Sequence, residues 1–316
     1  MMQTILVGIA AGIAAALMFV APVGGTVLAF PLFILTGLPI GLAGLGWGTA
    51  AGAVAVIAGT LAIFAALSTM GALSFLLLFA IPVFWAARLA LLSRPSPDAA
   101  PDAPRQWYPL GRLLMHLALA VAIGVVIVGV LIGFDRAILT AEVTKALVEW
   151  FAAMQTTGAP PTTAEMEPFV RFNLALMPFT ITAILLFMLV FDLWLASIVA
   201  RASGRLQRPN EKLWGADLPN QALVALAGAA LLAFLPGAAG EIARVFTGAL
   251  AGAAALTGLA VLHALTVSMG GRTVLLTVVY TLIVFSGLPL VLFALLAVAE
   301  ALFHLRARRF KGVPPQ

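Results

Sequence analysis

The stretch from Arg171 to Arg201, RFNLALMPFTITAILLFMLVFDLWLASIVAR, decides which solvent this chain can fold in. About twenty apolar residues suffice to cross a bilayer. This run is longer, has an arginine at each end and holds a single acid, Asp192, inside. The remainder has the same character. Of 316 residues, 63% are hydrophobic and 9% charged, where a soluble domain carries about 25% charged residues, and the mean hydropathy is +1.14. No aqueous fold hides that much apolar surface. In lipid every backbone N–H and C=O must be satisfied internally, so only helices and closed barrels span. Barrel strands alternate apolar and polar residues, whereas these runs are continuous and rich in Ala, Leu and Gly. The predicted fold class is all-α, a polytopic helical membrane protein.

Four spans are expected before the first linker, at about 3–20, 24–40, 43–67 and 70–92. Pro22, Gly24 and Gly25 separate the first pair, Gly37, Pro39 and Gly41 the second, and residues 68–71 the third. The 24–40 segment is short and interrupted by Pro31, which leaves a re-entrant loop open. The N-terminus lacks the basic region of a signal peptide, and Pro22 sits badly for cleavage, so the first span reads as uncleaved. Residues 93–111 hold five prolines and read as a solvated linker. A span at about 112–133 leads into the longest polar segment, 134–170. There Ile138, Leu139, Val143, Leu147, Trp150, Phe151 and Met154 recur at helical spacing, the pattern of an amphipathic helix lying in the interface. Thr162 and Glu165 form a capping box for a second short helix ahead of Arg171. A basic loop, 202–219, carries Arg205, Arg208 and Lys212. Spans at about 220–237 and 243–262, a connector at 263–272 and an apolar run at 273–303 follow.

Gly287 and Pro289 break that last run into two short spans or one kinked helix. Charge separates the two. With two spans, only Arg136, Lys145, Arg171 and Arg244 fall on one side, and thirteen of the 17 Lys and Arg residues fall on the other, a strong positive-inside bias. The count is then about ten crossings, eight or nine if a segment is re-entrant, with both termini cytoplasmic. The chain divides into an N-terminal bundle (1–92), a Pro-rich cytoplasmic linker (93–111), a C-terminal bundle (112–305) with its outer segment 134–170, and a basic tail (306–316).

Few residues carry candidate chemistry. Cysteine is absent, which removes disulfides and thiolate chemistry. The net charge of +5 and pI near 10.4 belong to basic residues beside the spans rather than to a nucleic-acid platform, so no nucleic-acid partner is expected. No GxSxG elbow or HExxH motif occurs, and the chain reads as a non-enzyme without cofactor. A metal site drawn from His116, His263, His304, Asp192 and Glu300 has no local ligand motif behind it, and none is expected. Gly44, Gly48 and Gly52 fall on one stripe of the third span, and Gly248 with Gly252 repeats the spacing. Ala10 with Ala14 makes a milder small-residue face. Such residues let helix backbones approach closely in lipid. Asp192 lies nine residues from Arg201, about 13 Å along a helix, deep enough to need a partner. It reads as a proton or cation relay, a substrate contact, or an acid tying helices together. Glu300, His304 and Arg308 share one face of the terminal helix as an ion ladder. On the opposite side, Arg171, Asn173, Glu241 and Arg244 line an outward pocket covered by the amphipathic segment, or stand as ordinary interfacial residues.

Three passages carry a resemblance: FDLWLASIVARASGRLQRP (191–209), GLAVLHALTVSMGGR (258–272) and LFALLAVAEALFHLRARR (292–309). Together they resemble the YybS-like family of bacterial multi-pass membrane proteins. That family is similar in fold to the substrate-binding S components of energy-coupling-factor vitamin transporters. The resemblance implies an S-component-like bundle with extra spans in the bacterial inner membrane, an outward pocket for a small solute, and small residues on the first span, here Ala10 and Ala14, docking a coupling or ATPase subunit. The alternative is a non-catalytic scaffold whose basic cytoplasmic loops bind anionic lipid or a partner protein.

Overall fold

In sequence this apolar, helices end where glycine or proline ends them. The computed structural model describes residues 1–27, 29–95, 105–154, 161–211, 215–287 and 289–309. Helix α1 (Met2–Val20) closes in a 3₁₀ turn at Ala21–Gly24. It is followed by α2 (Ala29–Ile34), α3 (Leu38–Trp47) and α4 (Thr49–Ala66). Of the break expected at Gly37, Pro39 and Gly41, only Gly37 falls between α2 and α3, inside the second span, and Pro39 and Gly41 belong to α3. The turn between spans comes later, at Gly48, whose φ of 87° is open to glycine and strained for other residues. Ser68 caps the next helix by accepting from the Gly71 N–H at 3.0 Å. That span comprises α5 (Thr69–Phe75), a π turn at Leu76–Ala80 and α6 (Ile81–Ala90). Pro82 has no N–H to give Leu78, and widening the helix by one residue absorbs the loss.

Strands β1 (Ser93–Arg94) and β2 (Gln106–Trp107) pair antiparallel and clip the two ends of the linker together; its centre, 96–104, lies outside the described residues. Then come α7 (Leu110–Leu131), α8 (Arg136–Ala153), α9 (Thr163–Ala202), α10 (Asn220–Leu232), α11 (Gly237–Leu265), α12 (Arg272–Ser286), α13 (Pro289–Phe303) and α14 (Leu305–Arg309). Seven helical segments are long and apolar enough to cross a membrane, and α10, α12 and α13 are shorter apolar helices. The fold is all-α and polytopic.

Three expectations change. The short helix after the capping box and the span at Arg171 are one helix, α9. Thr162 and Glu165 do cap it, with the Thr162 N–H donating to Glu165 Oε2 at 2.8 Å. Its 40 residues reach about 60 Å, twice the hydrocarbon core of about 30 Å, so the helix extends well beyond that core. The stripe Gly44, Gly48, Gly52 does not lie on one helix, because the chain turns at Gly48. Gly44 and Gly52 instead face each other across the α3–α4 hairpin, where a Cβ on Gly52 would sit 3.2 Å from the Gly44 Cα. Finally, α13 stops at Phe303, with His304 at φ 49°. The ladder Glu300, His304, Arg308 is therefore replaced by Glu300 pairing with Arg306, Nε to Oε1 2.9 Å.

Packing follows the small residues. Gly8 and Gly12 seat α1 directly on α4, where a Cβ on Gly8 would lie 2.7 Å from the Ala51 carbonyl oxygen. Phe19, Phe33, Phe75 and Phe79 fill the space beside this contact, with ring centroids 5.4–6.0 Å apart. In the C-terminal half α11 is central. Gly248 meets the backbone of Phe179 on α9, Gly252 meets Ala183 and Leu186, and Gly258 meets the backbone of Phe293 on α13.

The linkers converge at one end of the bundle. Buried Arg208 donates to the carbonyls of Ala90 (3.1 Å) and Tyr108 (2.8 Å) and pairs with Glu211. Arg306 reaches the Ala216 carbonyl and Asp217, and Arg309 donates to Ser268. Because α14 returns to the loop between α11 and α12, α12 and α13 form an up-and-down pair turning at Gly287. Lys212 and residues 310–316 of the basic tail lie outside the described residues.

Candidate polar cavity and buried acid

At the other end, α8 leaves the bundle and lies across the starts of α9 and α11. Asp135 starts it, its Oδ1 accepting from the Ala137 (2.8 Å) and Ile138 (3.2 Å) N–H groups. The buried side chains of α8 are Thr140 and Thr144, while Ile138, Trp150 and Met154 are more than half exposed. This is the mixed surface of a helix that packs on protein on one side and meets the interface on the other.

Beneath α8 is a cavity of about 680 Å³, lined among others by Arg136, Thr140, Thr144, Glu167, Arg171 and Glu241. Its electrostatic centre is Glu241 Oε1, which holds Arg136 Nη1 at 2.9 Å and Arg244 Nη1 at 2.8 Å. The three side chains are one-fifth to one-third exposed, so solvent screens the cluster and its pairs are worth far less than fully buried ones. Across the cavity, Arg171 pairs with Glu167 one turn earlier on α9. The first turns of α8, α9 and α11 all border the cavity; Asp135 and the Thr162–Glu165 box cap the first two, while no side chain caps α11, which adds partial positive charge from its free N–H groups. Three buried polar atoms of this cluster lack a hydrogen bond among the described residues: Arg244 Nη1, which faces Glu241 only as an ion pair, and Thr144 Oγ1 and Glu241 Oε2, which belong to residues lining the cavity. A buried hydroxyl or carboxylate oxygen left unpaired costs about 1–3 kcal/mol, and a ligand that supplied the partners would recover it.

Of the residues expected here, Arg171 and Glu241 line the cavity, and Arg244 stands behind Glu241 as its second partner. Asn173 does not reach it. Its side chain is turned back on the Phe169 carbonyl at 2.9 Å. Thr140, Thr144 and Glu167 are additions, and their signals were present: two threonines at i, i+4 in the amphipathic helix, and an acid four residues before Arg171.

Asp192 occupies a second polar place, inside the helical bundle. It is 0% exposed, and its Oδ2 accepts the Gly37 N–H at 2.9 Å, where α2 stops and α3 begins. Its Oδ1 has no partner among the described residues. Neighbouring Thr36 is also fully buried, its hydroxyl donating to Phe33 O at 2.7 Å. Sequestering a bare carboxylate costs several kcal/mol after relaxation. The helix start it faces returns at most about 2 kcal/mol. Desolvation outweighs that return, so the buried carboxylate requires a compensating positive charge.

The five groups weighed for a metal do not converge. His116 contacts Tyr108, His263 contacts Tyr280, and among the described residues no cluster of three or more His, Asp or Glu side chains has metal-binding geometry. Ala10 is exposed and Ala14 half-buried on the flank of α1, while Gly8 and Gly12 hold its packed face.

Fold and site together define a helical multi-pass membrane protein with a polar cavity under an interfacial helix at one end. No protein-family model, curated protein or solved structure matches the chain.

Proposed function

We propose that this chain binds, and in complex with partner subunits transports, a small polar solute across the bacterial inner membrane, in the manner of an S component. The solute enters the cavity under α8 from outside, with both termini of the chain cytoplasmic. The observation that carries the reading is the pair of unpartnered buried atoms, Thr144 Oγ1 and Glu241 Oε2, in a cavity otherwise balanced between arginines and carboxylates. They call for a solute with hydrogen-bond donors for Glu241 and a donor or acceptor for Thr144. The uncapped α11 start and Arg171 favour an acidic or electron-rich group at its other end. The resemblance to the YybS-like family supports the same reading, and exposed Ala10 on α1 is free for a coupling subunit. The scaffold alternative needs free cationic groups at the linker end. There Arg201 holds the Arg208 carbonyl, Arg205 stacks on Trp47, and Arg208 and Arg306 are spent internally, which leaves exposed Arg112 and Arg308 for that role among the described residues.

The test is native mass spectrometry of the full chain extracted gently from its own membrane, compared with Thr144→Val and Glu241→Gln. A stoichiometric small-molecule adduct in the wild type that is lost in both variants supports the assignment. An adduct retained by both variants refutes the placement, and a wild type that carries only lipid refutes the reading.

A further inference from the structure

We infer that Asp192 Oδ1 is a binding site for a small monovalent cation, a proton or a sodium ion, at the discontinuity between α2 and α3. The inference does not depend on the cavity under α8.

Depth comes from two helices independently. Asp192 is nine residues from Arg201 on α9, and Gly37 is ten residues from Trp47 on α3, whose ring lies under the Arg205 guanidinium at 4.3 Å. At about 1.5 Å per residue both place the contact roughly 14 Å from the arginine-rich end, near the middle of a hydrocarbon core about 30 Å thick.

Among the described residues the protein supplies no counter-charge there. Helices α2 and α3 carry no charged residue. On α6, Arg88 is exposed and lies against the Trp85 ring. On α7, His116 contacts the Arg112 carbonyl and Tyr108, at the linker end. On α11, Glu241 and Arg244 hold each other at the opposite end, and His263 binds Tyr280. Arg201, the next cation on α9 itself, donates to the Arg208 carbonyl. The positive charge that balances the carboxylate therefore comes from solution. Intramembrane acids facing a protein interior mark ion pathways for this reason, and a broken helix is where backbone polar groups at membrane depth become available to an ion. The α2–α3 break has both elements: an N–H fixing one carboxylate oxygen, and a fully buried second oxygen left to bind.

The experiment is infrared spectroscopy of the full chain in lipid nanodiscs, with aspartate carrying a ¹³C carboxyl, in potassium and in sodium buffers. The chain has only four other aspartates, Asp98, Asp102, Asp135 and Asp217, and Asp192→Asn identifies which band is which. A neutral-acid C=O band at pH 7, displaced by the label and lost in Asp192→Asn, establishes a bound proton. Carboxylate bands of Asp192 that shift when sodium replaces potassium establish sodium. Asp192 carboxylate bands that respond neither to sodium nor to acidification through the physiological range overturn the inference. The asparagine keeps an oxygen for Gly37. If it still fails to accumulate, the labelled wild-type spectrum decides alone.

Discussion

A single methyl group at Gly12 tests how closely α1 and α4 approach. In the structure a Cβ there would stand 2.7 Å from the Gly59 backbone nitrogen and nearer still to the Ala55 carbonyl, whereas ordinary contacts begin at 3.4 Å. Both obstacles are backbone, so no side chain can turn aside. The helices must separate by at least about 0.7 Å, the difference between those two distances. A gap of that size forfeits a quarter to a half of the dispersion attraction along the contact, and overpacking of this kind costs about 1–3 kcal/mol. Against it stands the gain in helix propensity from Gly to Ala, at most about 1 kcal/mol. The net expectation for Gly12→Ala is a loss of roughly 1–2 kcal/mol, about a five- to thirty-fold fall in the folded-to-unfolded ratio. The control is Gly129→Ala on α7, the same chemistry in open space, since nothing lies within 4 Å of that Cβ; it should be neutral or stabilising. Reversible unfolding in mixed micelles, followed by far-ultraviolet circular dichroism, reads both. Gly12→Ala with the same midpoint as Gly129→Ala would refute the close approach.

Two further outcomes are expected. Arg208→Ala strips the donors from the Ala90 and Tyr108 carbonyls and should cost about 2–4 kcal/mol, since hydrogen bonds to charged groups are worth about 1.5–3 kcal/mol each. In the same unfolding assay Arg208→Lys should recover less than half, because an ammonium lacks the planar fork; full recovery would mean that charge alone matters. In this cysteine-free chain, a lone cysteine at Thr163 should react with a membrane-impermeant maleimide on intact spheroplasts, while one at Ser203 should react only after lysis. The reverse pattern would invert the proposed orientation.

How much of this was legible beforehand differs between fold and site. Spans such as α1, α4, α7 and the core of α9 follow from long apolar runs, and the Thr162–Glu165 cap follows from its spacing. The position of the second turn did not follow, because Gly37, Gly41 and Gly48 are equivalent letters in an apolar run. Only packing selects the one that takes φ 87°. Arg171, Glu241 and Arg244 were drawn together by sidedness, since few polar residues fall on that side. Asn173 failed because its own helix satisfies its side chain.

The sequence by itself determined the solvent and the helical class of the fold, though not where each helix turns or stops. A chain with 9% charged residues and runs beyond twenty apolar positions can satisfy its backbone in lipid only as helices, wherever those helices then pack. Tertiary structure alone decided which small residues touch, which oxygen of Asp192 meets Gly37 and which stays unpaired, and that Thr144 and Glu241 share a cavity. Those are contacts between residues far apart in the chain, with Asp192 and Gly37 separated by 155 positions. Hydropathy and periodicity are properties of neighbours along the chain, and they carry no information about such pairs.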